Sequence, residues 1–212
     1  MLKIAVLVSG GGTNLQAIID AIESGYLSDC TITAVISSKR DVFALARAER
    51  HGIKAVCVPR KECVDLQEFE EKILAELEKS EAELIVYAGF LSILGETVLQ
   101  KYKNKMINVH PALIPSFCGK GFYGLKPHEE AIKYGVKITG ATVHFVDIEA
   151  DTGPIILQKA VKIRTGDTPE ILQKRVMEEA EQIILPKAIK LISEGKISIE
   201  GRIVITEDDI DD

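Results

Sequence analysis

Asn108 and His110 stand near the end of an otherwise apolar run, Met106-Ile107-Asn108-Val109-His110-Pro111. Residues two apart on a strand project from the same face, so the carboxamide and the imidazole would reach one point together. An amide donor beside a titratable ring suits a reaction in which a carbonyl oxygen gains negative charge: one group holds the oxygen and the other manages the proton. Downstream, Asp147-Ile148-Glu149-Ala150-Asp151-Thr152-Gly153-Pro154 offers the carboxylate such a ring needs. The competing account gives Asn108 and His110 strand-end hydrogen bonds and makes Asp151 a turn former before Gly-Pro.

A second cluster precedes these residues. Ser9-Gly10-Gly11-Gly12-Thr13-Asn14-Leu15 bridges a first apolar strand and a first helical segment. Backbone N–H groups and the positive end of a helix dipole favour an anion there, glycines permit close approach, and Thr13 and Asn14 add side-chain donors. It is not the dinucleotide fingerprint, whose third glycine would fall on Leu15, and no Gly-Lys-Ser/Thr follows to make a Walker A loop. A small phosphorylated metabolite fits better; a tight turn with no ligand is the alternative.

The elements that must hold these groups alternate. Strands are expected at 3–9, 31–37, 55–58, 84–88, 106–110, 141–146 and 154–163, and helices at 14–24, 42–51, 66–79, 92–102, 127–134 and from Pro169 to about Ser193. Thr168 would cap the last helix, with Pro169 in its first turn, and Pro186 should kink or interrupt it. A short strand pair is expected around Ile197–Ile199 and Ile203–Ile205, followed by an acidic, frayed tail from Glu207. The fold class is therefore α/β: a single-domain, Rossmann-like, mostly parallel twisted sheet of about seven strands with helices on both faces. Ligands in such sheets gather at the carboxyl ends of strands.

Composition narrows the partners. The 212 residues are 46% hydrophobic, enough for one large core, and carry a formal net charge of −6. No positive field gathers nucleic acid or an anionic membrane. The longest apolar stretch, Leu84 to Leu94, is interrupted and shorter than the roughly 20 residues of a membrane span. With no signal-like segment at the start, the expectation is a cytoplasmic protein. Four irregularly spaced cysteines, Cys30, Cys57, Cys63 and Cys118, read as reduced thiols rather than a disulfide framework or a metal site.

Taken in order, the glycine turn, Ala88-Gly89-Phe90-Leu91-Ser92-Ile93-Leu94, Asn108-Val109-His110-Pro111-Ala112-Leu113-Ile114-Pro115, and Gly140-Ala141-Thr142-Val143-His144-Phe145-Val146 leading to Asp151-Thr152-Gly153-Pro154 resemble the phosphoribosylglycinamide formyltransferase family. The resemblance covers residues 2 to 195. It implies a formyltransferase catalytic domain over 1–200, with 201–212 left as the short strand and tail. It implies formyl transfer from 10-formyltetrahydrofolate, a cosubstrate, to the amino group of glycinamide ribonucleotide, a step of purine synthesis, with no metal.

By motif position, Asn108, His110 and Asp151 match the family's catalytic trio. Asn108 and a protonated His110 would stabilise the oxyanion, and Asp151 would favour the imidazolium and relay a proton. Gly12, Thr13 and Asn14 match the phosphate turn, and Glu181 matches a ribose contact, although the helix before it is one residue longer than the family's pattern. On bare periodicity Glu181 reads as a solvated helix residue. Leu91, Ser92, Ile93 and Leu94 match the segment that packs on the pterin, and Val146 and Asp147 its other wall; without the resemblance, Leu91 to Leu94 reads as the buried start of a helix. Many relatives carry arginine at Ser92, and Gln67 stands where the family has a basic residue near the folate tail. His144 is read either as a neighbour of the trio or as a structural histidine. The segment from Ser116 to Gly124 is expected to close as a lid.

Other readings share parts of this pattern. A methionyl-tRNA formyltransferase would carry a further basic domain, a formyltetrahydrofolate deformylase would pass the formyl group to water, and a non-catalytic sensor would bind a phosphorylated metabolite without turnover.

Overall fold

In a computed structural model of the chain, residues 1–206 are described, and the acidic tail expected from Glu207 lies outside them. The chain packs as two compact units, Met1–Ile107 and Asn108 onward.

The first unit contains β1 (Leu2–Val8), α1 (Thr13–Glu23), β2 (Cys30–Ser37), α2 (Phe43–Arg50), β3 (Ala55–Cys57), α3 (Leu66–Ser80), β4 (Leu84–Tyr87) and α4 (Glu96–Lys101). Its strands run in the order β3-β2-β1-β4, each pair parallel. β1 lies between two neighbours and is covered on both faces, which explains its continuous apolar run: Ile4 through Val8 have no exposed surface. Asp65 caps α3 by accepting the Glu68 N–H at 2.9 Å, and Phe69, Ile73 and Leu77 then recur at four-residue spacing on the buried stripe.

α4 begins at Glu96, four residues later than the apolar pattern suggested. Gly95 before it is extended, and a side chain there would collide with the Glu70 carboxylate, its Cβ falling 2.3 Å from Oε1. The Leu91 N–H is also diverted from any helix, donating to Ser9 Oγ at 3.0 Å. Leu91 to Leu94 is thus an irregular connection with a bend at Ser92 and not the start of a helix.

β5 (Met106–His110) runs across the division between units. The second unit adds α5 (Lys126–Tyr134), β6 (Ile138–Phe145), β7 (Ile155–Lys162), α6 (Pro169–Val176), α7 (Gln182–Ser193), β8 (Ile197–Glu200) and β9 (Ile203–Thr206). Its strand order is β5-β6-β7-β9-β8, with β6/β7 and β8/β9 antiparallel and β7/β9 parallel. The fold class is α/β with a mixed sheet and helices on both sides, as expected, and the terminal strand pair raises the strand count to nine among the described residues. β6 starts earlier than its hydrophobicity suggests because Ile138 pairs with Lys162, and Gly140 within it is obligatory: a Cβ would fall 2.0 Å from Lys159 O.

The expected long last helix is interrupted, but upstream of Pro186. Met177–Glu181 forms a π-helical turn between α6 and α7. Such a turn takes up one extra residue and restores the register beyond it. This absorbs the one-residue excess seen in the sequence and turns Glu181 inward, where it is 8% exposed rather than solvated. Thr168 caps α6 through the Ile171 N–H as predicted, with Pro169 in the first turn.

Candidate active site

In the second unit, strand alternation and a turn bring the three expected residues into one connected cluster. His110 Nδ1 lies 3.4 Å from Asp151 Oδ2, and Asp151 Oδ1 lies 3.5 Å from His144 Nε2. His144 Nε2 in turn is 3.1 Å from Asn108 Nδ2. Asp151 reaches the cluster from the β6–β7 turn in a left-handed conformation, φ 60°, which Asp tolerates better than most residues. Close beneath it, Gly153 leaves room for the Phe145 carbonyl, which a Cβ would meet at 1.8 Å.

The carbonyl side of the segment after His110 is held by β6 and β7. Thr142 Oγ1 donates to Ala112 O at 2.7 Å and accepts the Ile114 N–H at 3.1 Å, while Gln158 Nε2 donates to Ile114 O at 3.0 Å. No sequence signal had marked Thr142 or Gln158 for this; their polar types within an apolar strand pair were the available hint.

The Ser116–Gly124 segment bonds to two members of the trio. His110 Nε2 donates to Phe117 O at 2.9 Å, and the Gly119 N–H donates to Asp151 Oδ2 at 2.8 Å. Phe117 adopts φ 50°, a conformation costly for a side-chain-bearing residue. Within the same segment, burial raises the Cys118 thiol, reinforced by the Asp151 charge, which keeps it protonated and disfavours nucleophilic use.

The electrostatics follow from burial and neighbours. Burial lowers the His110 imidazole below its ordinary value; the Asp151 charge and the Phe117 carbonyl oppose this without cancelling it, and His144 adds to the lowering. Burial would raise the Asp151 carboxyl, but the His110 ring and the Gly119 N–H hold it below the ordinary carboxylate value, and a hydrogen on His144 Nε2 would lower it further. A neutral ring beside an ionised carboxylate is poised to accept a proton and to be stabilised once it has done so. Val146 is half-buried and Asp147 exposed, just beyond β6, and Asp147 Oδ1 accepts the Ile148 N–H at 2.8 Å.

The first unit holds the other expected residues. Three successive carbonyls of the glycine turn are tied down: Gly10 O by the Ala44 N–H at 3.2 Å, Gly11 O by Arg47 Nε at 2.9 Å, and Gly12 O by the Gln16 N–H at 2.9 Å. A trans peptide sets its N–H opposite its C=O, so fixing the Gly10 and Gly11 carbonyls toward α2 turns the following amides away from that helix. Gly12 sits at φ 74°, and a Cβ there would come within 2.7 Å of Ala44 Cβ. Ser9, which the sequence reading passed over, links this turn to the 91–94 segment: its Oγ lies 2.8 Å from Ser38 Oγ and accepts the Leu91 N–H. In that segment Leu91 and Ile93 are 48% and 69% exposed, whereas Leu94 is buried. Gln67 on α3 donates to Glu71, leaving no cationic group at that position.

Comparison with known proteins gives concordant results. The formyl transferase family profile matches residues 2–189. The chain is 41% identical over 197 residues to the human trifunctional purine biosynthetic protein adenosine-3, covering 93% of this chain and 19% of that one, so it spans about a fifth of the length of such relatives. It is 38% identical over 203 residues to phosphoribosylglycinamide formyltransferase of Haemophilus influenzae, covering 96% of this chain and 92% of the relative. The crystal structure of glycinamide ribonucleotide transformylase 1 from Symbiobacterium toebii superposes with a TM-score of 0.91 at 38% identity, covering 97% of this chain and 94% of that one.

Proposed function

The chain belongs to the formyl transferase family, and from that premise we propose that it transfers a formyl group from 10-formyltetrahydrofolate to the amino group of glycinamide ribonucleotide. The observation that carries the reading is the joined cluster of Asn108, His110 and Asp151 around His144. It supplies an amide donor, a neutral base and an anionic partner for that base, the set that acyl transfer to an amine requires.

The attacking amine forms a bond to the formyl carbon while the carbonyl electron pair moves onto oxygen. Asn108 donates to that oxygen as its charge develops. Once the Phe117 carbonyl is released, the neutral His110 ring carries its hydrogen on Nδ1 toward Asp151, its bare Nε2 takes the proton that the amine sheds, and Asp151 stabilises the resulting imidazolium. The bond from carbon to the folate nitrogen then breaks, its electron pair remaining on nitrogen, which receives the proton back from His110. The Phe117 carbonyl must leave His110 Nε2 for this exchange, so the 116–124 segment acts as a gate that moves before the amine reaches the ring.

For the nucleotide, the amides of Gly12 and Thr13 and the side chains of Thr13 and Asn14 receive the phosphate, and Glu181 a ribose hydroxyl. The exposed Leu91 and Ile93 offer the apolar surface an aromatic pterin would cover, and Ser92 and Leu94 add backbone hydrogen bonds. By motif position, Val146 and Asp147 are further residues given to the pterin. The cytoplasm is our reading of the compartment, and both partners are small molecules.

A coupled assay with glycinamide ribonucleotide and 10-formyltetrahydrofolate tests this directly. Formylated product, with turnover reduced roughly 10²–10³-fold by Asn108→Ala and substrate affinity less changed, is the expected result. Release of formate without the nucleotide would reassign the chain as a hydrolase, and binding of both compounds without turnover would make it a sensor.

A further inference from the structure

We propose that His144 is a positioning residue that locks the Asn108 carboxamide with its N–H groups, rather than its oxygen, available to the reacting carbonyl. The inference rests on the formyl-transfer reading for its kinetic consequence, but its geometric content stands by itself.

His144 is 2% exposed, and both ring nitrogens are engaged. Nδ1 lies 2.8 Å from the Phe145 carbonyl, which can only accept, so Nδ1 carries the hydrogen. Nε2 lies 3.1 Å from Asn108 Nδ2, which can only donate, so Nε2 presents its lone pair. One amide hydrogen of Asn108 is thereby bound, and the second, in the same plane, points away from the ring. Turning the carboxamide over would oppose its oxygen to the Nε2 lone pair. Asparagine χ2 is otherwise broad and permits that turn at little cost.

The other group near Nε2 is Asp151 Oδ1, at 3.5 Å, beyond ordinary N–H···O length. Were a proton on Nε2, it would bridge to Asp151, and Asn108 would have to show the ring its oxygen. The two arrangements are exclusive, and the distances select the first. The β6/β7 register shifts between Val143 and His144, an irregularity of the kind that re-aims a side chain.

Two readouts test the proposal on the full chain. Long-range ¹H–¹⁵N NMR of the resting protein at neutral pH should show His144 protonated on Nδ1 and bare on Nε2; a proton on Nε2 overturns the proposal, and this measurement needs no turnover. In kinetics, His144→Leu should lower kcat roughly ten- to a hundredfold with KM little changed, and should add almost nothing when placed on Asn108→Ala. His144→Gln, whose side-chain oxygen can accept from Asn108, should recover most of the loss. Losses that multiply fully in the double variant, or a Gln variant no better than Leu, overturn it. If the parent chain transfers no formyl group, the functional reading fails while the NMR result still decides the geometry.

Discussion

His110 Nε2 and the Phe117 carbonyl are joined at 2.9 Å, so the backbone of the glycine-rich segment occupies the nitrogen that the proposed chemistry needs. The second tie, from the Gly119 N–H to Asp151, fixes the same segment to the ring's acidic partner. Resting protection and catalytic readiness therefore depend on the same two side chains.

The Asp151 charge raises a His110 imidazole that burial lowers. Asp151→Asn removes the raising influence, so the acid limb of the kcat/KM profile should move to lower pH. Turnover should fall roughly a hundredfold or more because the imidazolium loses its partner. A pH–rate series on both proteins checks this; an unmoved acid limb would separate Asp151 from His110.

His128 on α5 has no exposed surface, and neither ring nitrogen meets a hydrogen-bond partner among the described residues. Burial, with a smaller contribution from His110, pushes its pKa down to about 4. Because the unfolded ring titrates near 6.5, stability is full above that pH and declines as pH falls toward 4, by about 3 kcal/mol in total. Urea unfolding at a series of pH values should show this slope in the parent and a flatter one in His128→Phe.

Gly12→Ala meets both a positive φ and the Ala44 side chain. The expected outcome is a loss of about 1–3 kcal/mol in unfolding free energy. It should also raise the KM for the phosphorylated substrate more than that for the formyl donor. Gly25→Ala, equally left-handed but with open space around it, is the control for strain alone.

Gln67→Arg places a guanidinium at the position that the family resemblance gives to a basic residue near the folate tail. The KM for a folate bearing its glutamate tail should fall, with kcat unchanged and with no effect on a tail-less analogue. Equal KM values for the parent and Gln67→Arg would show that α3 does not reach the tail.

Local pattern carried much of this molecule. Period-two and helical repeats located the strands and most helices, the glycines marked the strand-to-helix turn, and Asn108 with His110 declared a polar pair on one strand face, because alternation is a property of the chain alone. The ends of elements were less legible. α4 starts late because Ser9 and Glu70, distant in sequence, claim the space and hydrogen bonds around Leu91 and Gly95.

Residue types and order by themselves thus determined the α/β class, the family resemblance and the polar pair at the end of β5. Tertiary structure decided how those groups are connected: which nitrogen of His144 faces Asn108, that Phe117 and Gly119 rest on His110 and Asp151, and that a π-turn brings Glu181 inside. These are directions of hydrogen bonds and angles of approach between segments far apart in the chain. They are fixed when separate elements pack, and no local periodicity encodes them.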